Sequence, residues 1–323
     1  LLSACGAAAT ALLVSQGVSD AFDRRMVGAA LDRQEPELIR KKNLQGENGP
    51  DGKIMAYCRI KQRELEQKPH RVIHIQGKDG TTLVGHLFLA VQQKRVVLAM
   101  HGWRSCWARD FGAVAEFLQS AGCTVLYAEQ RGQGRSGGDY MGFGMMERFD
   151  CRAWLDWLNG AGFAGLPIYL AGISMGASTV LMAAGDEHLP ANVAGVIADC
   201  GFTSPWDIMK SVLHARCKWL PAAPLLLALN VFSTLLGGFS LRECSTTGAV
   251  AAAKYPILFI HGKADDFVPT RMSQEAYDAC TSEKRLVLID GAAHAKSYIT
   301  DPARVQSALE DFFENHLPKE EQV

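Results

Sequence analysis

Ser174 is the residue whose setting in this sequence could do chemistry. It is the centre of Gly172-Ile173-Ser174-Met175-Gly176. A serine hydroxyl is a weak nucleophile at neutral pH, so it needs a base to take its proton and a third group to orient that base. The pentapeptide follows the apolar run Leu166–Ala171, which reads as a buried strand. It precedes Ala177–Gly185, which reads as a small-residue helix closed by glycine. A G-x-S-x-G turn between strand and helix is a nucleophile elbow, a strained corner that needs small neighbours and lifts the serine oxygen out of the fold. The helix behind it aims its first N–H groups at charge that develops during attack. Farther along, Asp265 and Asp266 follow the run Tyr255–His261, and His294 follows Lys284–Ile289 within Gly291-Ala292-Ala293-His294. A serine, an acid and a histidine therefore occur in that order, each just beyond a predicted strand.

The elements that must position these groups read as an alternation. Arg95–Met100 predicts a strand ending in His101-Gly102-Trp103, and Asp110–Ala121 predicts a helix. A strand over Cys123–Ala128, a helix over Met145–Asn159 and a strand over Val193–Asp199 follow. Beyond them come helices over Thr270–Cys280 and Pro302–His316. Strands alternating with helices from Val97 onwards argue for a mainly parallel sheet covered on both faces. Upstream, Val72–Ile75 and Thr81–Ala90 flank Lys78-Asp79-Gly80 as a hairpin. His70, His74 and His86 alternate along it with no carboxylate nearby in sequence, which favours solvated or core histidines over metal ligands.

Two further stretches invite other readings. Gly132-Gln133-Gly134-Arg135-Ser136-Gly137 is a literal G-x-G-x-x-G, but Gly138–Gly142 continues as loop and Asp150 falls inside a predicted helix. A dinucleotide site needs the glycines to open a helix at once, so these glycines are read as a sharp turn at the carboxyl edge of the sheet. Residues 202–250 break the alternation with helix-prone apolar segments, Pro205–Cys217 and Leu225–Leu236, around Pro221 and Pro224. This predicts a helical cap over a pocket. A membrane-dipping reading of Leu220–Leu236 meets seventeen residues with two prolines near the start, a poor spanning helix.

Composition sets broad limits. The 323 residues are 48% hydrophobic and 8% aromatic, enough for a substantial core. A formal charge of -1 gives no general reason to expect nucleic acid or an anionic membrane surface as a partner. Nine cysteines without paired spacing read as free thiols rather than a disulfide framework or structural zinc. Residues 1–70 are a lead-in without evident chemistry. Asp20–Arg33 and Ile54–Gln67 have helical spacing, and Gln45–Gly52 is a loop between them. Leu1–Val14 is apolar and too short to span a bilayer as it stands, and the chain starts without methionine. It reads as a signal-peptide tail, the end of a membrane anchor or an edge helix, and Leu2-Ser3-Ala4-Cys5 resembles a lipoprotein signal with Cys5 as the lipidated residue. The expectation is membrane association or an extracytoplasmic site through this segment, with the cytoplasm as the alternative.

From Arg71 to the C-terminus the chain resembles the α/β-hydrolase superfamily. Within it, the chain is similar to bacterial serine esterases of the cinnamoyl/feruloyl-esterase-like group, which takes in serine aminopeptidase-like sequences. The stretches that carry the likeness are His101-Gly102-Trp103, Arg131–Ser136, Gly172–Gly176, His261–Asp265 with Val268-Pro269, and Gly291–His294. Many relatives have His or Trp where Ile173 stands. The resemblance implies an eight-stranded, mainly parallel sheet flanked by helices, with a core of 71–201 and 251–318 and a cap insert over 202–250. It implies Ser174 as nucleophile, His294 as base and Asp265, three residues before Val268, as the orienting acid in preference to Asp266. It also implies an oxyanion hole from the backbone N–H groups of Trp103 and Met175, with His101 shaping that loop. The expected substrate is a small-molecule ester, its pocket lined by cap side chains including Trp206, Trp219, Phe232 and Phe239, and no cofactor or metal is called for. A serine nucleophile argues against the dehalogenase and epoxide-hydrolase branches. Two alternatives stand beside the esterase: a peptidase or amidase of the same fold, and a catalytically silent binding protein.

Overall fold

The computed structural model describes residues 30–33, 52–216 and 222–316. Helix α1 (Gly52–Gln67) leads into the hairpin β1 (Arg71–Gln76) and β2 (Thr82–Phe88), then β3 (Arg95–Met100). Two short helices, α2 (Trp107–Phe111) and α3 (Ala115–Ser120), precede β4 (Cys123–Glu129), and α4 (Glu147–Leu158) precedes β5 (Ile168–Ile173). The elbow helix α5 (Met175–Ala183), β6 (Val193–Asp199), α6 (Pro205–Arg216), α7 (Ala222–Gly237) and α8 (Thr246–Ala252) follow. The chain ends through β7 (Ile257–Gly262), α9 (Thr270–Ala279), β8 (Lys284–Ile289), α10 (Ser297–Thr300) and α11 (Pro302–Asn315).

The eight strands form one sheet in the order β1-β2-β4-β3-β5-β6-β7-β8. β2 is antiparallel to both β1 and β4, and every pairing from β4 to β8 is parallel. Side chains alternate across a strand, so an element buried on both faces must be apolar at every position. β3 shows this: Val96, Leu98 and Met100 enter the core on one face with Trp154 and Val180, whereas Val97 and Ala99 enter the other with Tyr127, Phe312 and Phe313. Parallel pairing brings the ends of β5, β6 and β7, and the loop after β8, to the same edge.

Three features differ from the sequence expectations. The helix predicted over Asp110–Ala121 is two pieces broken near Gly112, because α1 packs there: a Cβ on Gly112 would lie 2.8 Å from the Lys61 carbonyl. His86 is not remote from carboxylates, since β2 pairs with β4 and brings Glu129 to 2.7 Å from its Nε2. Residues 30–33 of the lead-in lie against the glycine-rich loop and Trp103, packing that the sequence did not indicate, as described below. That loop stays irregular around Arg131, whose guanidinium donates twice to Asp150 of α4 (2.7 and 2.6 Å) and once to Asp79 (2.8 Å). Asp150 is thus the buried partner of an arginine.

Within residues 202–250, α6 and α7 lie on an apolar cluster formed by Met141, Phe143, Met145, Met175 and Met182. Helix α8 instead joins the core, with Val250 buried among the residues beneath the sheet and Gly185 close against Ala249. Among the described residues no helix is long and apolar enough to cross a membrane. Leu1–Val14, Cys5 and Trp219 lie outside the described residues.

Candidate active site

The corner between β5 and α5 places Ser174 at φ 56°, ψ -117°, a conformation that L-residues seldom adopt. Two close approaches explain the flanking glycines. A Cβ on Gly172 would lie 2.2 Å from the Gly176 carbonyl oxygen, and one on Gly176 would lie 1.9 Å from the Met100 carbonyl oxygen. No larger residue fits either position with the backbone as it stands. The Ser174 N–H donates to the Asp199 carbonyl at 2.8 Å, which ties the corner to β6.

Ser174 Oγ lies 2.9 Å from Nε2 of His294, and His294 Nδ1 lies 2.7 Å from Asp265 Oδ2. A carboxylate only accepts, so the Nδ1 proton points at Asp265 and Nε2 is left to receive the serine hydroxyl proton. Asp265 Oδ1 accepts the Phe267 and Val268 N–H groups at 2.9 and 2.8 Å. Its Oδ2 also meets His261 Nε2 at 3.2 Å. Burial opposes charge on Asp265, but the hydrogen bonds from His261 and His294 outweigh it and hold the carboxyl well below the usual range. The hydrogen bonds and ion pairs of His294 among the described residues run to Asp265 and Ser174, not to Asp266.

Several groups that support this array carried no signal in the sequence. His261 is fully buried at the end of β7, with Nδ1 2.7 Å from Ser273 Oγ and Nε2 3.0 Å from the Val268 carbonyl. It stood inside a matching motif, but nothing indicated that it would reach the acid. Half-buried Asp199 accepts from Ser297 Oγ at 2.8 Å and so anchors the segment just after His294. Burial pushes the Asp199 carboxyl up to about 6, against the pull of Ser297 and the two histidines. Cys200, at φ 52°, brings its sulfur within 4.8 Å of ligating atoms of Asp265 and His294. Burial raises its thiol well above the ordinary value, so it packs there as a neutral group rather than as a ready metal ligand.

The loop after β3 lies directly against the elbow. A Cβ on Gly102 would lie 3.3 Å from the Ser174 Cβ, and the Gly102 N–H donates to Asp110 Oδ2 at 2.6 Å. Ser105 Oγ donates to the other Asp110 oxygen at 2.5 Å, so Asp110 braces both ends of this short loop. His101 is buried, with Nε2 accepting the Gln130 N–H at 3.2 Å and Nδ1–H donating to the Gly102 carbonyl at 2.8 Å. These contacts require a neutral ring, and burial accordingly lowers its pKa. The Gln130 side-chain amide donates to the His101 carbonyl and accepts from Thr179 Oγ1, linking this loop to α5.

Trp103 carries the site towards the lead-in. Its Nε1–H donates to the Ala30 carbonyl at 2.9 Å, and its ring stacks at 6.5 Å on Phe267, which also contacts the His294 ring. Arg33 donates to the carbonyls of Gly134, Ser136 and Gly138, and Arg104 donates to the Asp32 carbonyl. Met175 and Phe239 are buried in the apolar cluster beneath α6 and α7, with Trp103, Trp206 and Phe232 packed against it half-buried. The Arg242 guanidinium covers the Trp206 ring at 3.5 Å. Trp219 is not among the described residues.

The fold has counterparts among known proteins. The esterase Pf2001 of Pyrococcus furiosus superposes with a TM-score of 0.62 at 24% identity, over 79% of this chain and 95% of that one. Est1E of Butyrivibrio proteoclasticus, solved with ferulic acid bound, superposes at 0.56 with 20% identity, over 76% and 98% of the two chains. At such identities the likeness is one of fold, and the fold is that of the α/β-hydrolases. The uncharacterized protein YqkD of Bacillus subtilis is 32% identical over 252 residues, 78% of this chain and 81% of its own. The pattern of the Hydrolase_4 family, described as serine aminopeptidase S33, matches residues 91–231 and 240–297. Those spans take in Ser174, Asp265 and His294, and the chain belongs to that family of α/β-hydrolases.

Proposed function

We propose that this chain is a serine carboxylic-ester hydrolase acting through an acyl-enzyme on Ser174. The observation that carries the reading is the continuous relay from Ser174 Oγ through His294 to Asp265 Oδ2, beginning at a serine held in left-handed backbone.

Ser174 Oγ attacks the ester carbonyl carbon as its proton passes to His294 Nε2, and Asp265 stabilises the imidazolium that forms. The tetrahedral oxyanion is received by the backbone N–H groups of Met175, the first residue of α5, and of Trp103, in the loop held against the elbow. His294 then gives its proton to the departing alkoxide, leaving an ester on Ser174. Water, deprotonated by His294, attacks that ester; the acid leaves and Ser174 recovers its proton. The apolar cluster under α6 and α7, with Phe239, Phe232 and Trp206, supports an apolar or aromatic acyl group as substrate. The esterases that share the fold, one of them solved with ferulic acid, support the same class.

The family's description, serine aminopeptidase, favours a second reading, hydrolysis of amides at a peptide N-terminus. Parallel assays with p-nitrophenyl esters from acetate to decanoate and with aminoacyl p-nitroanilides separate the two. Ester turnover that vanishes in Ser174→Ala, with folding intact, is the expected result, and its chain-length optimum measures the acyl site. Anilide turnover at rates above the esters would favour the peptidase. No turnover of either by folded protein would overturn the hydrolase reading and leave a silent binding protein.

A further inference from the structure

The loop after β3 carries one of the two proposed oxyanion donors, and it is held from two directions. On its leading side the Gly102 N–H is bound by Asp110, and His101 is bound by Gln130. On its trailing side the partners come from some seventy residues upstream. Trp103 Nε1–H donates to the Ala30 carbonyl at 2.9 Å, and Arg104 Nη2 donates to the Asp32 carbonyl at 2.9 Å. Arg104 stands at φ 48°, a left-handed conformation that a residue with a side chain keeps only where its surroundings fix it. Its guanidinium also lies over the Trp103 ring, 5.2 Å from the centroid.

Residues 30–33 divide their bonds by alternation, as an extended segment does. The carbonyls of Ala30 and Asp32 face the 103–104 corner, while Leu31 and Arg33 fasten the segment to the body of the fold. The Leu31 carbonyl accepts the Met141 N–H at 2.7 Å, and the Arg33 N–H donates to the Asp139 carbonyl at 2.9 Å. These two bonds make an antiparallel bridge with Asp32 opposite Tyr140. The Leu31 side chain is 1% exposed, in the apolar cluster that also buries Met175, the other proposed donor. The Arg33 side chain is exposed, yet its guanidinium donates to the carbonyls of Gly134 (2.5 Å), Ser136 (2.7 Å) and Gly138 (3.3 Å). A planar fork of five donors can span three carbonyls in this way, and an ammonium cannot match it.

A donor stabilises an oxyanion most when it is aimed before the charge forms. With its leading side alone held, the corner at residues 103–104 would be free to turn the Trp103 N–H away. We infer that Leu31 and Arg33 are positioning residues for the oxyanion hole: they dock residues 30–33, whose carbonyls fix Trp103 and Arg104 and so aim the Trp103 N–H. The inference rests on the acyl-enzyme reading above and concerns one of its two donors, not the relay from Ser174 to Asp265.

The test compares wild type with Arg33→Ala, Arg33→Lys, Trp103→Phe and the double variant Arg33→Ala/Trp103→Phe, each shown to be folded by thermal unfolding. Arg33→Gln takes the place of an alanine form that does not fold. Phenylalanine at position 103 keeps the backbone N–H and a ring but removes the bond to Ala30. Turnover is measured on p-nitrophenyl acetate, or on an aminoacyl anilide if that is the better substrate. Binding is measured with an aryl trifluoromethyl ketone. Ser174 Oγ bonds to its carbonyl carbon, the serine proton passes to His294, and the ketone oxygen becomes an oxyanion in the hole.

Arg33→Ala should lower kcat by about 5- to 30-fold, less than the roughly 10²–10³-fold lost when a donor is removed outright. KM should stay within about twofold, and ketone affinity should fall by the same factor as kcat. The pH profile of kcat/KM, which reports the relay, should keep its wild-type shape, and Arg33→Lys should recover part of the loss. Both single changes loosen the same N–H, so the double variant should be no more than about twofold worse than the poorer single. Wild-type kcat and ketone affinity in Arg33→Ala overturn the proposal. A double variant whose loss is the product of the single losses does so too, since Arg33 and Trp103 would then act independently. Lost turnover with unchanged ketone affinity would place the damage outside the oxyanion hole and also overturn it. Each of these outcomes leaves the hydrolase reading standing, whereas a folded wild type that turns over neither substrate ends both.

Discussion

His261 Nε2 and Asp265 Oδ2 lie 3.2 Å apart, and that same oxygen is the one facing His294 Nδ1. Two imidazoles thus converge on one carboxylate oxygen, His261 from four residues back at the end of β7 and His294 from the loop after β8. His261 does not touch Ser174; it fixes where Asp265 points. Removing it with His261→Ala should cut kcat for p-nitrophenyl acetate by about 10- to 100-fold, the worth of a hydrogen bond to a buried charge. KM should change little, and His261→Gln, which restores an N–H donor, should recover part of the loss. Unchanged kcat in the alanine form would show that the Phe267 and Val268 N–H groups suffice to orient Asp265.

Asp265→Asn preserves shape while replacing a pure acceptor by a group that can donate. The His294 ring then loses its preference for a proton on Nδ1, and the imidazolium loses its counter-charge. Steady-state kinetics should show kcat reduced by roughly 10³–10⁴-fold, with the fold retained. A loss of less than tenfold would make the acid dispensable. Comparison with Asp266→Asn, expected within twofold of wild type, tests the choice between the neighbours.

Asp199 sets a pH dependence of stability. Its folded-state value, about 6, lies above the ordinary carboxyl range, so between pH 4 and 6 the folded chain holds a proton that the unfolded chain has released. Stability from this group falls as pH rises through that window and stays low above it. Asp199→Asn keeps an oxygen for Ser297 and removes the charge. It should gain about 1–2 kcal/mol over wild type at pH 8, partial exposure keeping the gain below the full shift, and little at pH 4. Thermal melts of both proteins at the two pH values give the comparison, and equal melting at pH 8 would show that the charge is already solvated.

Gly176→Ala should be poorly folded or insoluble, since its Cβ would meet the Met100 carbonyl oxygen at 1.9 Å with backbone on both sides. The cost is about 3 kcal/mol or more. Gly160→Ala is the control, as nothing lies within 4 Å of its added Cβ. Soluble yield and melting temperature of the pair would expose an elbow that can relax: a Gly176→Ala protein melting within a few degrees of wild type contradicts the packing argument.

The sheet was legible because parallel strands are buried on two faces and so appear as unbroken apolar runs, as in Val96–Met100 of β3 and Ile257–Ile260 of β7. The elbow was legible because its glycines answer local contacts, within four residues of one another or with the adjoining strand. What escaped were polar residues whose partners are supplied only by the fold. Asp110 reads as an ordinary helix residue until the loop after β3 brings the Gly102 N–H to it. Glu129 and His86 are 43 residues apart and meet because β2 pairs with β4. The helix predicted over Asp110–Ala121 is broken near Gly112, where α1 crosses, a contact that the local sequence does not show. Helix α8 was absorbed into the predicted cap, since its small residues do not announce whether they face a pocket or the core.

The contacts of residues 30–33 bear on how this family diversifies. Ala30 and Arg33 lie well before residue 91, where the family pattern begins, yet they hold Trp103 and the carbonyls of Gly134, Ser136 and Gly138. Residues 30–33 are therefore fitted against one side of the site, on Trp103 and the glycine-rich loop. A relative that exchanged its leading segment would alter the rim of the site while leaving every residue of the relay in place. Selectivity could drift in a part of the chain that the relay leaves unconstrained.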